Sequence, residues 1–220
     1  INREVFGPIE NEKYHQYSGD IHASGQHLLA LINDILDLSK IEAGQYSIFE
    51  EHVDLTLVAD DCHKLLELRA DVNDIVIERR FPKIVPLLHA DKRAVRQIWL
   101  NLLTNAVKFS PAGSRIHMVA DYQSDGSFLI GVHDEGPGIA PDELERVLET
   151  FGQGTEGIAR PGSGTGLGLT IVKGLAEAHD GDFVLESDVG EGTRAHVTFP
   201  AERISHPGRH VPDRLSKAYP

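Results

Sequence analysis

Residues 91–109 read DKRAVRQIWLNLLTNAVKF, and the helix they encode organises the elements around it. At about 100° per residue, Gln97, Asn101, Asn105 and Lys108 fall within an arc of about 80°. Val95, Ile98, Leu102, Ala106 and Phe109 occupy a separate apolar arc suited to facing a sheet. Mid-helix asparagines weaken a helix, because their amides compete for backbone partners. Two of them one turn apart beside a lysine invite a chemical reading. Carboxamide oxygens ligate a hard cation such as Mg²⁺, and Lys108 would meet phosphate charge. A solvated polar face is the other reading of the same residues.

Working outward, β-like runs (Tyr46–Glu50, Ile75–Arg80, Arg115–Tyr122, Phe128–His133, Asp182–Ser187, Arg194–Phe199) alternate with helical ones (Leu55–Leu68, Pro141–Leu148, Gly168–His179). Ser124-Asp125-Gly126 joins two of the strands as a hairpin. Helices mixed with antiparallel strands predict an α+β fold, a two-layer sandwich with its helices on one face of the sheet. Ahead of it, beyond a Phe6-Gly7-Pro8 break, a long helix begins near Asn11. Ile21, Leu28 and Ile35 repeat every seven residues, with Ser24, Leu31 and Leu38 as a second series. Leu29, Ile32 and Leu36 widen the stripe to the breadth of a four-helix bundle, and Gly44 is the expected stop. The expected organisation is a helical segment over 1–44, a domain of mixed helices and strands over 45–200 and a loose tail over 201–220.

Three glycine motifs follow the central helix. Asp134-Glu135-Gly136-Pro137-Gly138-Ile139 comes directly after a strand, where glycines let the chain turn close to a ligand. A carboxylate there accepts a hydrogen bond from the exocyclic amine of adenine and rejects the carbonyl of guanine. An ordinary Gly-Pro turn is the alternative. Gly162-Ser163-Gly164-Thr165-Gly166-Leu167-Gly168-Leu169 runs into an apolar helix, whose free N–H groups and dipole favour phosphate. It is neither a Walker A loop nor a Rossmann loop. The stretch Gly152–Ser163 suits a mobile lid from which Arg160 reaches phosphate, or else a linker. Gly190-Glu191-Gly192-Thr193 reads as a hairpin turn.

A net charge of −13 disfavours a nucleic-acid surface, which needs a basic patch. With no apolar run of membrane-spanning length and a single cysteine, Cys62, the chain reads as cytoplasmic; any membrane link would come through a region upstream of Ile1. The twelve histidines are scattered, and His22 and His27, five residues apart, diverge around a helix, so they predict no metal site.

In this order the segments resemble the ATPase (Bergerat) fold shared by histidine kinases, gyrase B subunits and mismatch-repair MutL proteins. Gln97–Ser110 is similar to the kinase N box and Asp134–Ile139 to the first glycine box. Phe151 is similar to the F box, Gly164–Gly168 to the second glycine box and Gly190–Thr193 to the last. His27-Leu28-Leu29 and Asn33 through Gly44 resemble the second dimerisation helix and its exit, which points to sensor histidine kinases of two-component systems. The resemblance covers roughly residues 1–200.

The resemblance implies ATP and Mg²⁺ as cofactors, with Asn105 as the Mg²⁺ ligand, Asn101 and Lys108 at the phosphates, and Asp134 on the adenine amine. Gly136, Gly138 and Ile139 would complete the base side. Phe151, Arg160, Gly164, Thr165, Gly166, Leu167, Gly168 and Thr193 would line the rest. It also implies a homodimer through the N-terminal helices and a response regulator as partner. Thr150 stands where a proline usually precedes the F-box Phe, and Asp180 replaces the first glycine of the usual His-Gly-Gly. The family's acceptor box, a His followed by an acidic residue and later by Pro, is nowhere in these residues, and Ile1–Pro8 looks like the end of the helix that carries it. His15, His22 and His27 lack that context and read as structural or solvated. The alternatives are an ATP-binding switch without kinase activity and, disfavoured by the bundle helix, a serine kinase of the anti-sigma type.

Overall fold

The computed structural model describes residues 12–154 and 165–205. The chain divides into two compact units between Tyr46 and Ser47. Among the described residues, the first holds one helix, α1 (Glu12–Glu42). It stops at Gly44: the Gly44 N–H donates to Ile41 O (2.9 Å) and the Gln45 N–H to Lys40 O (2.8 Å), satisfying two of the last carbonyls. Ile21, Leu28, Leu29, Ile32, Ile35 and Leu36 are exposed along it.

The second unit runs β1 (Glu51–Asp54), α2 (Leu55–Val72), β2 (Val76–Arg80), β3 (Leu87–Ala90), α3 (Lys92–Phe109), β4 (Arg115–Tyr122) and β5 (Phe128–Asp134). It continues with α4 (Pro141–Leu148), α5 (Gly168–Ala178), β6 (Asp182–Asp188), β7 (Gly192–Phe199), a 3₁₀ turn (Ala201–Arg203) and β8 (Ile204–Ser205). Five strands make the main sheet in the order β2-β4-β5-β7-β6, antiparallel except for β2 beside β4. Period-two alternation sends Ile116, Met118 and Ala120 of β4, Phe128, Ile130 and Val132 of β5, and Val197 and Phe199 of β7 to one face, where all are buried. Helices α2, α3 and α5 cover that face. The fold is the expected two-layer sandwich, with α3 on β4 and β5.

Three features differ from the sequence expectation. The run Tyr46–Glu50 is not a strand; pairing begins at Glu51, where only Val53 is buried and hydropathy carries little signal. β3 and β8 join β1 in a second, three-stranded sheet of order β1-β3-β8. The start of the 201–220 tail is therefore structured. Arg203 holds it there, donating to Glu50 Oε1 (2.7 Å), His89 O (3.0 Å) and Asp180 Oδ2 (2.8 Å). Residues 206–220 lie outside the described residues, as does the Ile1–Pro8 stub.

Candidate functional site

Helix α3 is fixed at both ends. Asp91 caps its N-terminus, accepting from the Arg93 N–H (2.9 Å), the Arg93 guanidinium (2.8 Å) and the Phe49 N–H (3.1 Å). Burial pushes this carboxyl up, but the guanidinium and the two backbone donors outweigh it and hold it below the usual range. The Asp91 N–H donates to His179 Nε2 (3.1 Å), and His179 Nδ1 lies 2.7 Å from Leu175 O, so Nδ1 carries the proton. His179 is fully buried and its pKa is lowered by that burial, which suits the neutral tautomer both bonds require. One ring thus joins the start of α3 to the end of α5. Farther along, Asn101 Nδ2 donates to Gly168 O (3.2 Å), joining the middle of α3 to the start of α5.

The polar arc of α3 is half-buried: Gln97, Asn101, Asn105 and Lys108 are all of intermediate exposure. Lys108 Nζ lies 4.4 Å from the Phe109 ring centroid. The apolar arc is wider than the expected five residues. Trp99, Leu103 and Val107 are buried too, because α2 and α5 flank the helix while the sheet lies beneath.

Asp134 ends β5 between the first and last glycine motifs. Its Oδ1 accepts from the Gly136 N–H (2.8 Å), and burial raises its pKa against the pull of the Gly136 and Thr193 backbone donors. Gly138 (φ 73°) and Gly192 (φ 91°) sit in the left-handed region, and a Cβ on either would collide with the carbonyl of Asp188 or Asp134 respectively. Ser187 knots the two motifs. Its oxygen accepts from the Ile139 N–H (2.9 Å), and its proton goes to Gly192 O (2.7 Å). The Thr193 hydroxyl, 2.9 Å away, must then be the donor to Ser187, since a serine has one proton to give.

Phe151 has φ 64° and an exposed ring, and the Phe151-Gly152 backbone packs on Gly166. Thr165 Oγ1 accepts from the Leu167 N–H (3.0 Å) at the entry to α5, and Leu167 is fully buried. Arg160 and Gly164, with most of the expected lid, lie outside the described residues. Asp180, the departure from His-Gly-Gly, takes the left-handed backbone (φ 55°) that a glycine there would supply, and its carboxylate meets Arg203. A hollow of about 390 Å³ lined by Glu50, His89, Asp180, Pro200, Glu202 and Arg203 contains none of the expected site residues.

Ser187 and the Asp91–His179 link were not picked out from sequence. Nothing in the hydropathy of Ser187 marks it, and His179 reads there as the end of a helix and the His of the usual His-Gly-Gly, with nothing to tie it to Asp91.

Residues 90–203, just over half the chain, match the family described as histidine kinase-, DNA gyrase B-, and HSP90-like ATPases. The chain belongs to this family. Within it, the chain resembles sensor histidine kinases. The non-motile and phage-resistance protein of Caulobacter vibrioides is 44% identical over 98% of this chain and 25% of its own length. The cell-division control histidine kinase PdhS of Brucella suis is 37% identical over 91% of this chain and 20% of its own. The chain therefore spans about a quarter or less of these relatives. Among solved structures, full-length ShkA in complex with AMPPNP superposes with a TM-score of 0.77 at 29% identity, over 92% of this chain and 41% of that one. The mycobacterial sensor histidine kinase MprB superposes with a TM-score of 0.59 at 29% identity, over 72% of this chain and all of that one.

Proposed function

We propose that the second unit binds ATP and serves as the phosphoryl-donating half of a protein-histidine kinase. The observation that carries this is the meeting of the half-buried Asn101–Asn105–Lys108 face with the N-terminus of α5, through the Asn101 amide on Gly168 O. Asp134 would accept the adenine amine. Gly136, Gly138 and Ile139 would form the base side, and Phe151, Thr165, Gly166, Leu167, Gly168 and Thr193 the rest of the wall. Arg160 and Gly164 would join from the lid.

The donor set suits Mg²⁺. No cluster of three His, Cys, Asp or Glu able to hold a metal exists among the described residues, and Mg²⁺ is commonly held by one or two protein oxygens together with substrate phosphates and water. Asn105 would supply its amide oxygen. When bound, Mg²⁺ neutralises charge on the triphosphate. The residues of the chain do the positioning: Asn101 braces α5, Lys108 balances phosphate charge, and the α5 N-terminus offers N–H groups. The γ-phosphoryl would then pass in line to an imidazole on a dimerisation helix, with its bond to the β-phosphate oxygen breaking as the N–P bond forms.

No described helix is long and apolar enough to cross a membrane. A homodimer through α1, a response regulator as the next phosphate acceptor and a cytoplasmic location complete the reading. Titration with a fluorescent ATP analogue tests it: Asn105→Ala should weaken binding and abolish its Mg²⁺ dependence without unfolding the domain. Unchanged affinity and unchanged Mg²⁺ dependence would remove Asn105 from the site. With radiolabelled ATP, this chain should bind nucleotide yet gain no acid-labile label; label on His15, His22 or His27 would overturn their reading as bystanders.

A further inference from the structure

Helices α3 and α5 pack side by side and are tied by side-chain hydrogen bonds at two places. At the near tie, Asn101 of the proposed phosphate face holds Gly168, the first residue of α5. At the far tie, the Asp91 N–H at the start of α3 donates to Nε2 of His179, the residue that ends α5. The two helices therefore run antiparallel. At about 1.5 Å per residue the ties stand about 15 Å apart along α3 and about 16 Å apart along α5, so the two spans match.

The far tie is built to hold one geometry. His179 is wholly buried and Asp91 is 1% exposed. Nδ1–H of the ring donates to Leu175 O (2.7 Å), and Phe199 of β7 meets the ring edge to face, with centroids 5.9 Å apart. Asp91 is held in turn by the N–H groups of Phe49 and Arg93 on its carboxylate. Aliphatic side chains buried along the helices, such as Ile98 and Leu102 on one and Ile171 and Leu175 on the other, attract without direction and permit a slide. Hydrogen bonds weaken steeply when misaligned and so set the register. Asn105 and Lys108 lie beyond the near tie, about 6 and 10 Å farther along α3. With the near tie alone, α5 can pivot about Gly168, and the N–H groups at its start then turn relative to both side chains.

We propose that His179 is a positioning residue for the nucleotide site: by accepting from the Asp91 N–H it fixes α5 against α3, and with it the α5 N-terminus against Asn105 and Lys108. This rests on the ATP-binding reading above. His179 touches no part of that site itself and acts through the helix register.

Three substitutions in the 220-residue chain test it, because amides imitate one ring nitrogen each. His179→Gln places an amide oxygen near the position of Nε2, His179→Asn places an amide near that of Nδ1, and His179→Leu has neither. With a fluorescent ATP analogue and Mg²⁺, the Asn and Leu variants should bind about tenfold more weakly than the unaltered protein, and the Gln variant should retain most of the affinity. A purely structural role lowers affinity only through the unfolded fraction, and a tenfold loss from that cause would be plain in circular dichroism. Folded variants that all bind as the unaltered protein does would overturn the proposal and leave the ATP reading standing, as would a folded Gln variant no better than Leu. No binding by the unaltered protein would sink the ATP reading and this inference with it. A second measurement needs no variant. Coupling between two sites is reciprocal, so saturating Mg·ATP should slow hydrogen exchange of the Asp91 amide several-fold more than that of the Ile130 amide in the main sheet. Equal slowing of the two would count against His179 as decisively as the substitutions.

Discussion

Helices α1 and α3 carry similar apolar periodicity and meet opposite fates. In α3, Val95, Ile98 and Leu102 are almost wholly buried, because β4 and β5 of the same unit lie against them. In α1, Ile21, Leu28, Ile32 and Ile35 remain 73%, 58%, 45% and 43% exposed. A stripe of apolar residues states that a helix needs a partner, not where the partner is. α3 finds its partner within its own unit. α1, with an apolar side too broad for one helix to bury, calls for other helices.

Substitutions on the two stripes sharpen that contrast most. Ile98→Ala should cost the second unit about 2–5 kcal/mol in urea unfolding, as for other buried large-to-small changes. Ile35→Ala should change the same transition by less than about 0.5 kcal/mol, while weakening self-association measured by sedimentation. Similar losses at the two sites would erase the distinction. Next in size is base choice. If Asp134 reads adenine, the protein should prefer ATP to GTP by about 5- to 150-fold, the cost of about 1–3 kcal/mol for an unpaired buried acceptor, and Asp134→Ala should lose the preference. Equal binding of the two nucleotides by the unaltered protein would remove Asp134 from that role. Arg203→Ala should cost roughly 1 kcal/mol, since Glu50 and Asp180 are exposed partners, and should speed amide exchange in β8 before any other strand.

The smallest effect concerns acid. Burial, with His196 and Arg194 nearby, lowers the His133 pKa to about 4, below its ordinary value of 6.5. The unfolded chain therefore takes up protons that the folded sheet refuses. Stability contributed above about pH 6.5 is lost as pH falls toward 4. His133→Gln should flatten that part of the pH–stability curve; an unchanged slope would show that other groups cause it.

Much of this was legible in the sequence where side-chain pattern and local partner coincide. The bounds expected for α3, β4 and α4 from side-chain periodicity are those the structure shows. β3 was not, because four residues give too short an alternation to register, and β8 consists of two. Arg203 was read as part of a loose tail, since an ion-pair anchor to Glu50 and Asp180 joins residues far apart in the chain. The N-box arc was visible as a pattern, but its brace on Gly168 depends on α3 and α5 packing side by side.

The nucleotide site, as proposed, is complete within the second unit and owes nothing to α1. Calorimetric titration of Mg·ATP into residues 47–220 and into the whole chain tests it most directly. The account predicts the same affinity, within about twofold, for both. Binding that disappears or weakens by an order of magnitude when residues 1–46 are removed would contradict it.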